Sequence, residues 1–240
     1  MARPLRPHGK PRLGGIDILF EDGDIIVIDK PAGLLTISTE REKSRTAYFI
    51  LTDYVRKGVA KSRNRIFIVH RLDRETSGML IFAKNAETKF RLQSRWRETK
   101  KQYLAVVHGR CEKPADTITS YLAENQAHGV YTTTNPRQGK LAHTAYKVLK
   151  ETKDLSLLQI DLLTGRKHQI RVHLAAIGHP VVGDERYGKE DKRYPRLALH
   201  AHSISFEHPF SGASLTFATN VPGFFNTLIG NWNPPITQPI

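Results

Sequence analysis

Short apolar runs of strand length follow one another along this chain, and most are separated by turn chemistry; this punctuation limits the folds open to it more than any other feature. IDILFEDGDIIVIDKPAG sets two runs around Asp22-Gly23, which predicts a strand, a tight turn and a strand ending at Lys30-Pro31. RIFIVH and GMLIFAKN predict two further strands, with the charged loop HRLDRETSG held between them. KQYLAVVHG predicts another strand, TAYKVLKETKDLSLLQIDLLTG a hairpin around Lys153-Asp154, and RLALHAHSISFEHPFSGASLTFATN a hairpin around Pro209-Phe210-Ser211-Gly212. Between 111 and 140 the sequence is polar and turn-rich, and it predicts only small strands or loops on one edge.

Helices are fewer. AYFILTDYVRKG has apolar residues at near-helical spacing, and ETKFRLQSRWRE (87 to 98) reads as a helix with Phe90 and Trp96 as core contacts. HQIRVHLAAIG predicts a short helix ended by Gly178, and VPGFFNTLIGNW a helix that begins just after a proline. Strands dominate without a regular βαβ alternation, so the fold class is α+β with a mixed or antiparallel sheet. No repeat of fixed period and no long linker divides the sequence, which predicts one compact unit over 16–240 preceded by a basic, flexible arm over 1–15.

Charge narrows the class of partner. Lys and Arg number 37 against 23 Asp and Glu, a net charge of +14 and a pI near 10.0. Such charge suits a polyanion, because basic side chains displace condensed counterions from phosphates; a basic surface kept for solubility, or drawn to an anionic membrane, is the alternative. The cations gather in four runs, Arg56 to Arg65, Arg91 to Lys101, Arg166 to Arg171 and Arg186 to Arg196. No apolar stretch approaches the roughly 20 residues of a membrane helix, and the basic N-terminus lacks the apolar run of a secretory signal. A cytoplasmic protein is expected. The single cysteine, Cys111, has no partner for an internal disulfide and makes a poor zinc ligand set.

HRLDRETSG is the most specific feature: Asp73 stands between Arg71 and Arg74 in a loop between two strands. A neighbouring cation favours the ionised carboxylate that a nucleophile or base requires, but on composition alone an ordinary surface ion pair is the simpler reading. The wider pattern adds to this. HRLDRETSG, with Lys30-Pro31-Ala32-Gly33 before it, KKQY at 100 to 103 and LTGRKHQIRVHLAAIGHPVVGDERYG at 163 to 188, resembles the RluA-type family of pseudouridine synthases. The motifs occur in the family's order from residue 30 to residue 188.

The resemblance implies the pseudouridine-synthase fold, a bent mixed or antiparallel sheet in two halves with a catalytic cleft between them, and isomerisation of selected uridines in ribosomal RNA or tRNA. It implies roles residue by residue. Asp73 is the essential catalytic carboxylate, Tyr103 stacks on the target base and helps remove the C5 proton, and Arg171 is the basic residue that pairs with the aspartate. Arg71 fills the space left by the flipped base, Leu72 and Ile170 line the pocket, and Arg166 and His168 contact substrate. The chemistry implied needs no redox cofactor, no metal and no ATP. The partner implied is a structured RNA stem-loop, and a monomer suffices. Extruding a base from a folded RNA costs about a few kcal/mol, which an aromatic platform and a gap-filling cation would offset.

Two other classes stay open on the sequence. A non-catalytic RNA-binding protein would have no need to keep Asp73, Tyr103 and Arg171 together, and all three are present. A nuclease would require several carboxylates around a metal, and acids are sparse near the basic motifs, Gly183-Asp184 being the nearest candidate. The histidines at 168, 173, 179, 200 and 202 do not form a metal-ligand motif: His168 and His173 lie about 140° apart around a helix, and His200 and His202, which would share a strand face, have no acid or cysteine cluster beside them. Packing, hydrogen bonding or RNA contact is the expected use of these side chains. The GHPVVGDERYG segment reads equally as a structural loop and as a substrate contact.

Overall fold

A computed structural model describes residues 13–40, 42–59, 61–188, 191 and 193–232. The arm expected over 1–15 thus lies largely outside the described residues. The described residues divide into two compact units, the first formed by those from 13 to 99 with 203–219, the second by those from 100 to 202 with 220–232.

In the first unit β1 (Asp17–Glu21) and β2 (Ile25–Lys30) form the expected antiparallel hairpin. Its turn is set by the Asp22 carboxylate, which accepts from the amides of Asp24 and Ile25 at 2.8 Å each. β2 pairs with β4 (Ser77–Ala83), every residue of which is buried, and the two-residue β3 (Phe67–Ile68) pairs with the end of β4. The predicted strand at RIFIVH is therefore shorter than its apolar run, and its flanks Ile66 and Val69 bury as loop residues. The Ser203–Glu207 part of β10 (Leu199–Glu207) pairs antiparallel with β11 (Ser214–Ala218) around the expected turn.

Two helices belong to this unit. α1 (Ala47–Arg56) starts at Thr46, whose hydroxyl accepts from the Phe49 amide, and stops at Lys57 in the left-handed region (φ 52°). α2 (Ala86–Ser94) is capped by Asn85 through the Thr88 amide at 2.8 Å. The helix buries Thr88 and Leu92, one i,i+4 face, so Phe90 projects outward and is 72% exposed. Phe90 is not a core contact. Trp96 is half-buried and packs its ring 4.5 Å from that of His70.

In the second unit the ladders β5 (Lys100–His108) to β9 (Leu155–Leu162), β9 to β8 (Lys140–Glu151), β8 to β6 (Ala115–Glu124) and β6 to β7 (Val130–Thr133) are all antiparallel. β6 runs ten residues where the sequence predicted only fragments. Most of its first half is exposed and carries no apolar run, and pairing with β8 along 115–122 and with β7 over 121–124 makes it a strand. α3 (Gln169–Ala176) packs Val172 against Leu122, Val130 and Ala142, and α4 (Gly223–Ile229) lies against β9 and β5. Gly178 takes φ 84° just past α3, the conformation predicted for its role.

Candidate active site

Asp73 is half-buried in the 70–76 loop of the first unit, and its two chain neighbours are held by hydrogen bonds. The Thr36 hydroxyl donates to the Leu72 carbonyl at 2.9 Å and accepts from the Leu72 amide at 3.2 Å. On the other side the Arg74 carbonyl accepts from the Gly33 amide at 2.8 Å and from Nζ of Lys30 at 3.2 Å. Lys30 is fully buried, and Nζ also donates to the carbonyls of Pro31 and Leu34 at 3.0 and 2.8 Å. A buried ammonium is tolerable only when its donors are satisfied, so Lys30 draws the KPAG turn and the 70–76 loop onto one point. That makes the two upstream motifs one structure.

Arg74 directs its guanidinium to the Gly33 carbonyl (3.1 Å) and to Glu42 (3.0 Å), bracing the same turn. Arg71 is exposed, and Leu72 is buried. His70 accepts the Ile81 amide on Nε2 at 3.1 Å, which ties the start of the loop to β4.

In the second unit Tyr103 on β5 is buried, opposite Ile160 on β9, which in turn lies opposite Tyr146 on β8. Alternate residues of a strand share a face, so Tyr103, Ile160, Tyr146, Thr144 and Ser120 line one side of this sheet. α3 sits on that side, because its His173 ring lies 2.9 Å from the Thr144 hydroxyl and 3.0 Å from that of Ser120. Burial, with His143 a second cause, lowers the His173 pKa to about 4. Desolvation first, then the charges of His202 and Arg196, lower that of His200 to about 3. Both rings are kept neutral by packing. His200 and His202 do stand as neighbours, with ring centroids 6.4 Å apart.

Gln169 places the TGRKHQ segment. Its side-chain oxygen accepts from the Arg166 amide and the Thr164 hydroxyl, and its amide nitrogen donates to the His143 carbonyl and the Thr144 hydroxyl. His168 enters α3 with φ 52°, a strained backbone for a non-glycine residue, and its Nδ1 lies 2.7 Å from the Tyr187 hydroxyl. Ile170 is buried and Arg166 exposed. Arg171 is buried and donates Nε and Nη2 to the two oxygens of Asp184 at 2.8 and 2.7 Å. Asp184 also accepts the amides of Arg186 and Tyr187, so the GHPVVGDERYG loop acts structurally here, and its carboxylate is committed to Arg171.

The sequence reading missed one cluster. Asp22, Asp24 and His208 in the first unit bring potential ligand atoms within 4.8 Å of one another. Nδ1 of His208 accepts from the amides of Ser211 (3.2 Å) and Phe210 (3.4 Å), which leaves the ring proton on Nε2; that nitrogen lies 3.1 Å from the Asp22 carboxylate but makes no hydrogen bond among the described residues. A metal would need the lone pair of that nitrogen, which carries the proton while Nδ1 accepts, so the arrangement does not suit a metal centre.

Residues 24–176 match the family model described as RNA pseudouridylate synthase. The chain belongs to this family. It is 38% identical over 207 residues to the uncharacterized RNA pseudouridine synthase YhcT of Bacillus subtilis, covering 84% of this chain and 67% of that one. It is 38% identical to the ribosomal large subunit pseudouridine synthase D of Nitrosomonas europaea (86% of this chain, 62% of that one) and 34% identical to the dual-specificity RNA pseudouridine synthase RluA of Escherichia coli (89% and 96%). Among solved structures it is similar to human RNA pseudouridylate synthase domain containing 1, with a TM-score of 0.72, 26% identity and coverage of 92% and 89%. The RluA-type family and the α+β fold expected from the sequence are thus shown, and the chain is an RNA pseudouridine synthase, an isomerase.

Proposed function

We propose that this enzyme converts specific uridines in ribosomal RNA, tRNA or both to pseudouridine, with Asp73 as the essential carboxylate. The observation that carries this reading is the construction of the 70–76 loop, where Thr36 fixes Leu72 and Lys30 fixes Arg74, so the backbone on both sides of Asp73 is immobilised. Such preorganisation is what a catalytic group requires and a surface ion pair does not. Tyr103 supplies an aromatic platform for the base and an oxygen to take the C5 proton, and Arg171 is the basic partner of the reaction. Arg71, Leu72, Arg166, His168 and Ile170 serve the flipped nucleotide and its pocket.

The reaction breaks the bond from C1′ to N1, turns the base and joins C1′ to C5, after which the C5 proton leaves and N1 takes up a proton, so the product is an isomer of the substrate. Attack of the Asp73 carboxylate at C1′ and removal of the C2′ proton to give a glycal both use the same side chain. Residues 16–240 act as a single catalytic domain in the cytoplasm, without a metal. The name of the Nitrosomonas relative, a ribosomal large subunit enzyme, supports the ribosomal substrate.

The test is conversion of bulk unmodified rRNA and tRNA by the purified protein in EDTA, read by carbodiimide labelling and primer extension. New stops that vanish with Asp73→Asn are expected. Stops that persist in that variant would remove Asp73 from the role, and tight salt-sensitive RNA binding without stops would make this a binding protein.

A further inference from the structure

Four basic runs mark the sequence, and the structure separates one of them from the rest. In the run 91–101, Arg91 is held by Glu87, and Arg95 by Glu98 and Glu207. In 166–171, Lys167 is paired with Glu124 and Arg171 with Asp184; in 186–196, Arg193 is paired with Asp191. Carboxylates of the protein itself neutralise part of each. The run 56–65 holds Arg56, Lys57, Lys61, Arg63 and Arg65, all exposed, and none pairs with a carboxylate among the described residues. No acid occurs between Asp53 and Asp73, and Asp53, one turn before Lys57 on α1, makes no ion pair with it.

This run is also a built loop. Lys57 and Gly58 leave α1 through the left-handed region, at φ 52° and 73°. The amides of Val59 and Ser62 bond to the carbonyls of Arg56 and Val59 at 3.0 and 2.9 Å, and Nε of Arg56 reaches the Asn64 carbonyl at 3.3 Å, closing the loop. The Arg65 guanidinium stacks 4.9 Å from the centre of the Phe67 ring. The negative end of α1 accounts for cations at 56 and 57, but a helix dipole fades within its last turn and does not account for Lys61, Arg63 and Arg65.

We infer that the loop 56–65 grips backbone phosphates of the substrate RNA, supplying sequence-independent affinity from the same unit that carries Asp73. The inference rests on the proposed action on RNA. Charge without a protein counter-ion is stabilised when RNA phosphates replace condensed counter-ions, and each such contact steepens the salt dependence of binding. The loop makes no claim on which uridine is chosen, because phosphate contacts position without reading sequence.

The experiment compares binding of transcribed, unmodified tRNA and a large-subunit rRNA fragment to the full chain and to K61Q/R63Q/R65Q across a KCl series. Arg56 and Lys57 are left intact, since they close the loop and end the helix. The slope of log affinity against log salt is expected to fall by about 2 to 3 and affinity at low salt by more than tenfold, each phosphate contact contributing roughly 0.7–0.9 to the slope. The charge-keeping K61R/R63K/R65K variant is expected to restore the slope, which a folding defect would not allow. An unchanged slope in K61Q/R63Q/R65Q overturns the inference, and so does a slope that the charge-keeping variant fails to restore. Asp73→Asn in the same series separates the two claims. If it keeps the slope and loses conversion, both stand; if the wild type converts no uridine while the loop variant still lowers the slope, the phosphate grip stands and the enzymatic reading fails.

Discussion

Arg171 and Asp184, thirteen residues apart, meet as a buried bidentate pair in which Nε and Nη2 of the guanidinium donate to the two carboxylate oxygens at 2.8 and 2.7 Å. Two amides, of Arg186 and Tyr187, complete the carboxylate's shell. A charge pair with little solvent and full hydrogen bonding is costly to break from one side, because the remaining ion stays buried. Asp184→Ala is therefore expected to lower stability by about 3–5 kcal/mol, measured by urea unfolding. A loss below 1 kcal/mol would show that the guanidinium finds water or another partner.

Lys30 is expected to act at a distance through the 70–76 loop. Lys30→Met keeps the stem but removes the ammonium donor from the carbonyls of Pro31, Leu34 and Arg74, of which Arg74 keeps the Gly33 amide. Stability should fall by about 1–3 kcal/mol, and uridine conversion should fall further than thermal melting explains. Full turnover at a temperature where the variant is folded would show that the loop holds its shape without the ammonium.

The two depressed histidines predict a pH dependence of definite sign. His173 and His200 bind a proton in the folded chain only near pH 4 and 3, whereas in the unfolded chain they do so at their ordinary value of 6.5. Their contribution is fully present above pH 6.5 and is lost progressively as pH falls toward 4, because the unfolded state binds the proton first. His173 alone should account for a loss of about 3 kcal/mol across that window. Chemical denaturation between pH 7 and 4 measures it, and His173→Gln should flatten the curve; an identical curve would take His173 out of the account.

The hydroxyl of Tyr103 is tested by Tyr103→Phe. The ring is retained against its buried setting on β5, so RNA affinity should persist while single-turnover conversion slows at least tenfold. Equal rates would make the ring, and not its oxygen, the working part.

Phe90 offers the opposite expectation. At 72% exposure it contributes little to the fold, and Phe90→Ser should change unfolding free energy by no more than about 0.5 kcal/mol. A larger loss would place the ring under a cover that the helix face does not suggest.

What the sequence determined by itself was local. The Asp22-Gly23 and Pro209–Gly212 turns, the apolar runs of β2, β4, β5 and β9, the α3 stop at Gly178 and the α+β class follow from neighbours close along the chain. Motif order pointed to the family. The tertiary structure decided what depends on which distant groups meet. Phe90 left the core because α2 turned Thr88 and Leu92 inward, and β6 became a long strand because β8 lay beside it. Arg74 braced Gly33 and Glu42, Lys30 reached across 44 residues to the Arg74 carbonyl, and Arg171 met Asp184 in the buried pair that fixes the 179–188 loop. Composition shows that cations cluster, but only folding brings carboxylates against them, and so only the structure distinguishes the run 56–65, unpaired with carboxylates among the described residues, from its three partly neutralised counterparts.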